Sequence, residues 1–406
     1  MNSLTLLGDL APVGLIRLKC DAAPSPSDLT LANLEVPCCN AGLAPSPKSG
    51  PHLRAEPALM AELARAFAPL VVSLANNHLM DFGPAGLEQT LAAARATGVR
   101  TVGAGFSRGG AAAPLIMELR GRRIGVVAAT DRWFGAATPD TAGVAALEPE
   151  LVATIRRLQT EVDLVVASVH GGGEVSPWPA PRWQQHLRLL AESGAHLVHA
   201  HHPHVPLGWE CWAGSWIFYG MGNTIVNPAL WPAPAWTRRS WRAQLDPGNL
   251  HLAPRISEWE VMPHGVDGAE LRCLQLHVPD DSPVVADLNA PLADPLLLEG
   301  LHQEYAVRLW NAFYADRVNQ GDTAARRTRL TVRTLRDGAL ALFRSARWRT
   351  LQRDRGLFHY HLFSAATHAD EIATALGVLH GERPDRRNTR TRRLAGTWLP
   401  ASLFAS

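Results

Sequence analysis

Residues that can bind a metal or transfer a proton occur in short clusters along the first 225 residues of the chain. The side chains are carboxylates, amides and imidazoles, at Asp9, at Asn33 and Glu35, at Asn76, Asn77, His78 and Asp81, at His170 and Glu174, and at His199, His201, His202 and His204. Oxygen and imidazole donors suit a borderline divalent metal such as Mn²⁺, Fe²⁺ or Zn²⁺. Two ions about 3.5–4 Å apart need a bridging carboxylate, and Glu35 is placed for that role.

Each of these residues, taken alone, has an ordinary structural explanation. An Asp after a strand is commonly an Asx turn or a helix N-cap, and a single His is commonly a hydrogen-bonded polar group. Four histidines between His199 and His204 have no such packing explanation. The clusters together therefore predict a metal site.

The elements that must position these clusters are short apolar runs alternating with helical stretches. The predicted strands are Leu4–Leu7, Leu29–Leu34, Val71–Leu74, Arg123–Ala128, Leu164–Val169 and Leu197–His199. The predicted helices are Pro84–Thr97, Pro149–Glu161 and Pro181–Ser193. This alternation predicts a layered α/β fold. The polar clusters follow the carboxyl ends of the strands, which converge on one crevice in an open α/β sheet.

Three hairpins and one long loop complete the predicted α/β part. The hairpins pair Pro114–Leu119 with Arg123–Val127, Trp209–Trp212 with Ser215–Tyr219, and Glu258–Met262 with Glu270–Val278. Residues 228–250 are rich in Pro and Trp and predict a loop. Its Trp231, Trp236 and Trp241 could form a stacking wall for a sugar, a peptide or an aromatic group, or could stack on arginines as a purely structural element.

The C-terminal part of the chain differs in composition and charge. Residues 1–290 carry a net charge of −5, and residues 291–406 carry +7 with no lysine. Helical periodicity marks Asp294–Arg317 and Thr323–Trp348, whereas Arg383–Arg393 is polar and basic enough to predict disorder. We therefore divide the chain into an α/β domain at 1–280 and an Arg-rich, mostly helical region at 281–406.

Composition excludes several classes of protein. With 47% hydrophobic and 19% charged residues, the chain is neither collagen-like nor wholly disordered. Basic runs without interleaved aromatic residues argue against nucleic-acid binding, so the basic C-terminal region indicates either a solvated surface or a protein partner. The sequence shows no apolar run of the roughly 18 residues that span a bilayer. We expect a cytoplasmic protein with five reduced cysteines.

The order of the motifs resembles one known family. Gly8-Asp9 is followed by N-L-E at 33–35, by S-L-A-N-N-H-L-M-D-F-G at 73–83, by V-G-A-G at 102–105, by V-H-G-G-G-E at 169–174, by H-H-P-H-V at 201–205 and by Y-G-M-G-N at 219–223. This series resembles the poly-γ-glutamate capsule synthesis (CapA-like) family, a branch of the calcineurin-like metallophosphoesterase superfamily. The resemblance covers residues 1–226 and implies a metallophosphoesterase-like layered α/β sandwich with a helical C-terminal extension.

The resemblance also implies roles for individual residues. One or two divalent ions would be held by Asp9, Glu35, Asn77, His170, His202 and His204, with Glu35 bridging both ions. His78 would donate a proton to the leaving group and would be oriented by Asp81, and a metal-bound hydroxide would be the nucleophile. The remaining polar residues of the motifs would orient these ligands or contact the substrate, namely Asn33, Asn76, Glu174, His201 and Asn223.

Four positions depart from the family pattern. The superfamily usually has a His where this chain has Ala11, although the CapA-like branch also tends to lack that His. The family usually has an aromatic residue where this chain has Gly171. The family's usual Gly before H-H-P-H is Ala200 here, and its usual aromatic residue after the late G-N is Thr224. The predicted ligands are all present, so these departures indicate a changed substrate wall.

Three functions fit this pattern. The first is a metal-dependent hydrolase or transferase in the biosynthesis of poly-γ-glutamate or another capsule-type polymer, acting on a small-molecule or polymer substrate. The second is a non-catalytic subunit of a polymer synthase complex that retains the site. The third is a cytoplasmic pathway enzyme acting on a small amide or phosphoester. A complete set of ligands favours an enzyme.

Overall fold

A computed structural model describes residues 3–25, 28–48, 50–119, 121–131, 134–229, 235–315 and 366–399. The strands are β1 Leu4–Ala11, β2 Arg17–Cys20, β3 Leu29–Leu34, β4 Leu70–Ser73, β5 Arg100–Val102, β6 Ala104–Gly105, β7 Leu115–Leu119, β8 Arg122–Thr130, β9 Gly143–Val144, β10 Leu164–His170, β11 Leu197–His201, β12 Trp209–Trp212, β13 Ser215–Phe218, β14 Asn223–Val226, β15 Arg239–Leu245, β16 Arg255–Pro263 and β17 Gly268–Cys273. The helices are α1 Leu59–Phe67, α2 Gly83–Thr97, α3 Arg108–Ala112, α4 Pro149–Leu158, α5 Pro181–Glu192, α6 Pro283–Asn289, α7 Pro295–Leu309, α8 Ala366–Leu379 and α9 Thr389–Trp398.

Two large sheets form the centre of the molecule. One has the order β2-β17-β16-β15-β1-β3-β4-β5, with β14 also paired to β1, and the other has the order β12-β13-β11-β10-β8-β7. Apolar side chains of both sheets, such as Leu6, Leu31, Val126 and Val166, share one buried cluster. The two sheets therefore pack face to face as a sandwich.

Helices cover the outer face of each sheet. Helices α1 and α2 bury Leu63 and Leu87 against the first sheet. Helices α4 and α5 bury Leu158 and Leu187 against the second. The order helix, sheet, sheet, helix confirms the predicted layered α/β sandwich.

The C-terminal helices form a further apolar cluster beside the sandwich. Helices α7, α8 and α9 contribute Leu301, Ile372 and Leu394, and Trp178 from the α/β part packs among them. Asp294 caps α7 by accepting a hydrogen bond from the amide of Leu297 at 3.0 Å. At its other end, α7 continues as a π-helical segment, Trp310–Tyr314. The predicted helix Thr323–Trp348 lies outside the described residues.

Most predicted elements are present within a few residues of their expected bounds. The six predicted strands correspond to β1, β3, β4, β8, β10 and β11, and the three helices to α2, α4 and α5. The three hairpins are antiparallel pairs, β7 with β8, β12 with β13 and β16 with β17. Several elements were not predicted, among them helices α1, α3, α6 and α8 and strands β2, β5 and β14.

The prediction of a loop through residues 228–250 is wrong for residues 239–245. Strand β15 lies there between β1 and β16, antiparallel to both. Its Trp241 is 2% exposed in the core between the sheets, and the indole donates a hydrogen bond to the carbonyl of Leu207 at 2.9 Å. Trp241 therefore cannot belong to a stacking wall for substrate. Trp236 packs on Trp398 with ring centroids 4.8 Å apart, and Trp231 lies outside the described residues.

The prediction of disorder at Arg383–Arg393 is also wrong. Asn388 forms a capping box with Thr391 at the start of α9. The amide of Arg386 donates to Gln303 at 2.7 Å, and Arg383 donates to Thr374 at 2.9 Å. Contacts with α7 and α8 order this segment, because they satisfy polar groups that the local sequence leaves exposed. No helix in the described ranges has the length and apolar content that crossing a bilayer requires.

Candidate metal centre

Strand pairing brings the polar clusters to one edge of each sheet. Asp9 on β1 lies opposite Asn33 on β3 and opposite Asn223 at the start of β14. In the other sheet, His170 at the end of β10 lies opposite His201 at the end of β11. Residues that are far apart in sequence therefore meet where parallel strands end.

Two groups of three side chains that could hold a metal ion share Glu35. Glu35, His170 and His202 form one group, and Asp9, Glu35 and His204 form the other, with the ligand atoms of each group within 4.8 Å of one another. Glu35 Oε1 lies 3.4 Å from His170 Nε2 and 3.6 Å from His204 Nε2. A carboxylate common to both groups is the arrangement that a pair of metal ions requires.

The carboxylate of Glu35 has the properties of a metal ligand rather than of a structural residue. It is fully buried, and neither of its oxygens has a hydrogen-bond partner among the described residues. Burial, assisted by the charge of Asp9, raises the pKa of Glu35 well above its ordinary value. Buried carboxylates are usually paired, hydrogen-bonded or bound to a metal, so the donor set fits divalent ions.

The histidines are held in the form that binds metals. Burial, and then the charge of neighbouring histidines, lowers the pKa of both His170 and His202 well below the ordinary value. A neutral imidazole keeps a nitrogen lone pair for coordination. His199 has another role, because its Nε2 lies 2.8 Å from the carbonyl of Leu7 and so links the two sheets.

Asp9 is surrounded by polar neighbours. Asn33 Nδ2 donates to Asp9 Oδ1 at 2.8 Å, His201 Nδ1 lies 3.2 Å from the same oxygen, and the amide of His202 donates to Oδ2 at 3.3 Å. Burial opposes ionisation of Asp9, but the contacts with His201, His204 and Asn33 together outweigh it and lower the pKa of Asp9. His201 therefore lies beside a ligand carboxylate and outside the two groups of three.

Amide side chains connect the ligands to one another. Asn33 Nδ2 also lies 3.2 Å from His170 Nδ1, and Asn77 Oδ1 lies 2.9 Å from His170 Nε2. Asn223 Oδ1 lies 3.0 Å from His204 Nδ1. Asn76 instead donates to Asn33 and to a backbone carbonyl and caps the turn that carries His78. Such contacts orient metal ligands.

His78 and Asp81 lie together as expected, with a lysine that the motifs did not indicate. His78 Nδ1 is 2.9 Å from Asp81 Oδ2, and the amide of Leu53 donates to the same oxygen at 2.7 Å. Lys48 forms an ion pair with Asp81 Oδ1, and its Nζ lies 3.2 Å from His78 Nδ1. Burial, opposed by Asp81, lowers the pKa of Lys48. Its rarity could have singled it out, since the chain has only two lysines.

The backbone around the ligands departs from ordinary conformations. His202 and His204 have φ values of 99° and 60°, in the left-handed region that non-glycine residues seldom adopt. Gly8 allows β1 to approach β14, because a Cβ there would overlap the carbonyl oxygen of Gly222. Strain of this kind persists where the surrounding structure imposes it and clusters at functional sites.

The structure also shows the surroundings of Gly171, which departs from the family pattern, and of Glu174, a predicted site residue. A Cβ on Gly171 would lie 2.8 Å from the indole of Trp183, so that ring fills the space that a side chain would need. The side chain of Glu174 is exposed and belongs to neither group of three. Its backbone carbonyl accepts a hydrogen bond from Tyr305 on α7, a contact from a region without recognisable motifs.

Comparison with known proteins shows where this chain belongs. The chain is 29% identical over 222 residues to the PGA biosynthesis protein CapA of Bacillus subtilis, covering 53% of each chain. It is 29% identical over 175 residues to the capsule biosynthesis protein CapA of Bacillus anthracis, covering 41% of each. The matches thus span about half the length of these relatives.

A solved structure described as a putative 5'-nucleotidase from Staphylococcus aureus, in complex with alpha-ketoglutarate, is 14% identical, with a TM-score of 0.39 over 72% of this chain and 58% of that one. A TM-score of this size establishes no shared activity. The family model of the bacterial capsule synthesis protein PGA_cap matches residues 20–228. Because this match spans just over half of the chain, the protein belongs to the PGA_cap family of bacterial capsule synthesis proteins.

Proposed function

We propose that this protein is a metal-dependent hydrolase or transferase in the biosynthesis of poly-γ-glutamate or a related capsule polymer. The observation that carries the proposal is the carboxylate of Glu35, which is buried without a hydrogen-bond partner in the described chain and is shared by two groups of ligands. Family membership supports the polymer, since the similar Bacillus proteins are named for PGA and capsule biosynthesis.

The residues present would hold two divalent ions. Asp9, Glu35 and His204 would bind one ion, and Glu35, His170 and His202 the other. Asn77 lies 2.9 Å from His170 Nε2 and would join the second set. When bound, such ions activate a water and polarise a phosphoryl or carbonyl oxygen.

His78 would handle the proton of the leaving group. His78 Nδ1 is hydrogen-bonded to Asp81 Oδ2, so Nε2 is the ring nitrogen that would exchange the proton. The ion pair between Lys48 and Asp81 fixes the carboxylate that orients the ring. His78 is next in sequence to Asn77, whose Oδ1 lies 2.9 Å from His170 Nε2. An oriented imidazole beside a reacting bond is typical of general acid catalysis.

Hydrolysis assays with and without metal test this function. The protein, stripped with EDTA and reloaded with Mn²⁺, would be given bis(p-nitrophenyl) phosphate and, separately, γ-glutamyl-p-nitroanilide. We expect Mn²⁺-dependent release of nitrophenol or nitroaniline. For His78→Asn we expect a loss of about 10²–10⁴-fold in kcat on the anilide, whose nitrogen must be protonated to leave, and a smaller loss on the phosphodiester, because nitrophenolate leaves without a proton. His264→Asn is the matched control, because His264 is 43% exposed on the β16–β17 hairpin.

Two results would contradict the proposed activity. Release that is independent of metal would remove the reason for assigning the reaction to this site. A protein that binds Mn²⁺ but releases neither product would fit the non-catalytic subunit of a polymer synthase instead.

A further inference from the structure

The loop that follows His170 is in contact with the C-terminal helices. We call residues 171–176 the glycine loop; it begins with Gly171-Gly172-Gly173. Tyr305 on α7 donates a hydrogen bond from its hydroxyl to the carbonyl of Glu174 at 2.7 Å. Burial raises the pKa of Tyr305 well above its ordinary value, so the hydroxyl remains a donor. Neither α7 nor α8 falls within the family match at residues 20–228.

Gly173 is the point of closest approach between the loop and these helices. A Cβ at Gly173 would lie 2.9 Å from Glu371 Oε1 on α8 and 3.0 Å from Tyr305 Cε1. Both contacts are tighter than normal van der Waals separation, so a side chain here would push the Glu371 carboxylate and the Tyr305 ring aside or shift the loop. The glycine is therefore matched to the two C-terminal side chains.

The C-terminal side of this contact is a buried polar cluster. Glu371 and Tyr305 are each 2% exposed. Glu371 Oε2 lies 3.5 Å from His368 Nδ1, and the hydroxyl of Tyr314 lies 3.0 Å from the same nitrogen. A buried cluster linked in this way has little freedom to move, so it offers the glycine loop a rigid surface.

The glycine loop also contacts the segment at residues 201–204, which carries His202 and His204. The amide of Gly171 donates to the carbonyl of His201 at 3.0 Å, and the amide of Val175 donates to the carbonyl of Pro203 at 2.8 Å. Val175, like His202 and His204, has a positive φ, at 54°. Because conformations of this kind persist only where several contacts impose them, the position of His202 and His204 depends on the glycine loop.

We infer that Tyr305 is a positioning residue of the metal centre, which holds the glycine loop and, through it, His170, His202 and His204. Glu371 is the neighbour that leaves room for no side chain at Gly173. The inference rests on the metal site of the proposed function. It assigns the C-terminal helices a role in metal binding that lies outside the matched family region.

The test is the affinity of the full chain for Mn²⁺, read from the EPR signal of the free ion during titration of protein stripped with EDTA. The variants are Gly173→Ala, Tyr305→Phe and the double change Gly173→Ala with Glu371→Ala. Tyr219→Phe is the matched control, because Tyr219 is also buried and its hydroxyl donates a hydrogen bond to Glu210 on β12.

We expect Gly173→Ala to weaken Mn²⁺ binding by about tenfold to a hundredfold, the range seen when residues supporting metal ligands are changed. Tyr305→Phe should weaken binding by a smaller factor, and Tyr219→Phe should leave the affinity unchanged. Adding Glu371→Ala should restore part of the affinity lost in Gly173→Ala, because it removes the atom nearest the new methyl group. The matched control Tyr219→Phe reports how far a general loss of stability lowers the affinity for Mn²⁺.

Two results would overturn the inference, and they differ in what else they affect. If the wild type binds Mn²⁺ and Tyr305→Phe binds it equally well, the positioning role is wrong and the metal centre stands. If the wild type binds no Mn²⁺, the proposed function fails and the inference fails with it. Because Tyr305→Phe removes only one oxygen, it keeps the test decisive even if Gly173→Ala does not fold.

Discussion

Replacing Glu35 by glutamine should change stability in opposite directions in the metal-free and the metal-loaded protein. The carboxylate is fully buried and has no hydrogen-bond partner within the described ranges. A buried polar group without a partner costs about 1–3 kcal/mol, and more when it is charged. Glutamine is still polar but carries no charge, so Glu35→Gln removes the part of this cost that comes from the charge, and we expect the free energy of unfolding in EDTA to rise by about 1–3 kcal/mol.

Metal should reverse that order. A ligand that binds only the folded state adds about 4.1 kcal/mol at a thousand times its Kd, which exceeds the ~1–3 kcal/mol expected difference in EDTA. The wild type should gain about this amount from Mn²⁺, whereas Glu35→Gln lacks the carboxylate common to both ligand groups and should gain far less. Urea unfolding followed by tryptophan fluorescence, in EDTA and in excess Mn²⁺, measures both differences.

The same carboxyl group predicts a pH dependence for the metal-free protein. Burial and the charge of Asp9 raise the pKa of Glu35 above its ordinary value of 4.5. Above about pH 4.5 the unfolded chain loses a proton that the folded chain retains, so stability falls as the pH rises from there toward the raised pKa. Glu35→Gln should reduce this fall, as unfolding measured at several pH values would show.

Glu210→Gln is the matched control for these measurements. The carboxylate of Glu210 pairs with Arg188 at 2.8 Å, so its removal should destabilise the protein equally with and without metal. The reasoning is refuted if Glu35→Gln is less stable than the wild type in EDTA, or if it gains as much stability from Mn²⁺.

Three further changes test individual contacts, each by urea unfolding. Lys48→Met leaves the buried carboxylate of Asp81 without its cation and should lower the free energy of unfolding by about 3 kcal/mol. The matched change Lys19→Met, at a side chain that is 56% exposed, should lower it by less than about 1 kcal/mol. Gly8→Ala should cost at least about 1–3 kcal/mol through overlap with Gly222; no loss would mean that the strands can separate without cost. Trp241→Ala should cost about 3–5 kcal/mol as a core truncation, and a smaller loss would indicate that β15 is not part of the core.

Local sequence patterns were sufficient for the strands and helices that carry the candidate site. The runs ending at Asn33 and His170 are apolar and bounded by polar residues, so both the strand and its end could be predicted. The rule that parallel strands end at one edge then placed Asp9, Glu35 and His204 together, as the structure does. Their role as metal ligands stays a prediction.

The features that sequence reasoning missed depend on contacts between distant segments. The run R-S-W-R-A-Q-L at 239–245 alternates polar and apolar residues, but it lies in a Pro- and Trp-rich stretch that is typical of a loop. Its pairing with β1 and β16 shows that it is a strand. Lys48 reaches Asp81 across 33 positions, and Tyr305 reaches Glu174 across 131. No local pattern encodes such pairs, because they arise only when the chain folds.

The most direct test of the two-metal centre is a count of the bound metal. The full chain would be reconstituted with Mn²⁺, desalted and analysed for manganese per chain, together with His202→Ala and Asp9→Asn, which each alter one group of ligands. The arrangement around Glu35 predicts two ions in the wild type and fewer in each variant. A wild type that retains no manganese, or variants that retain as much as the wild type, would contradict it.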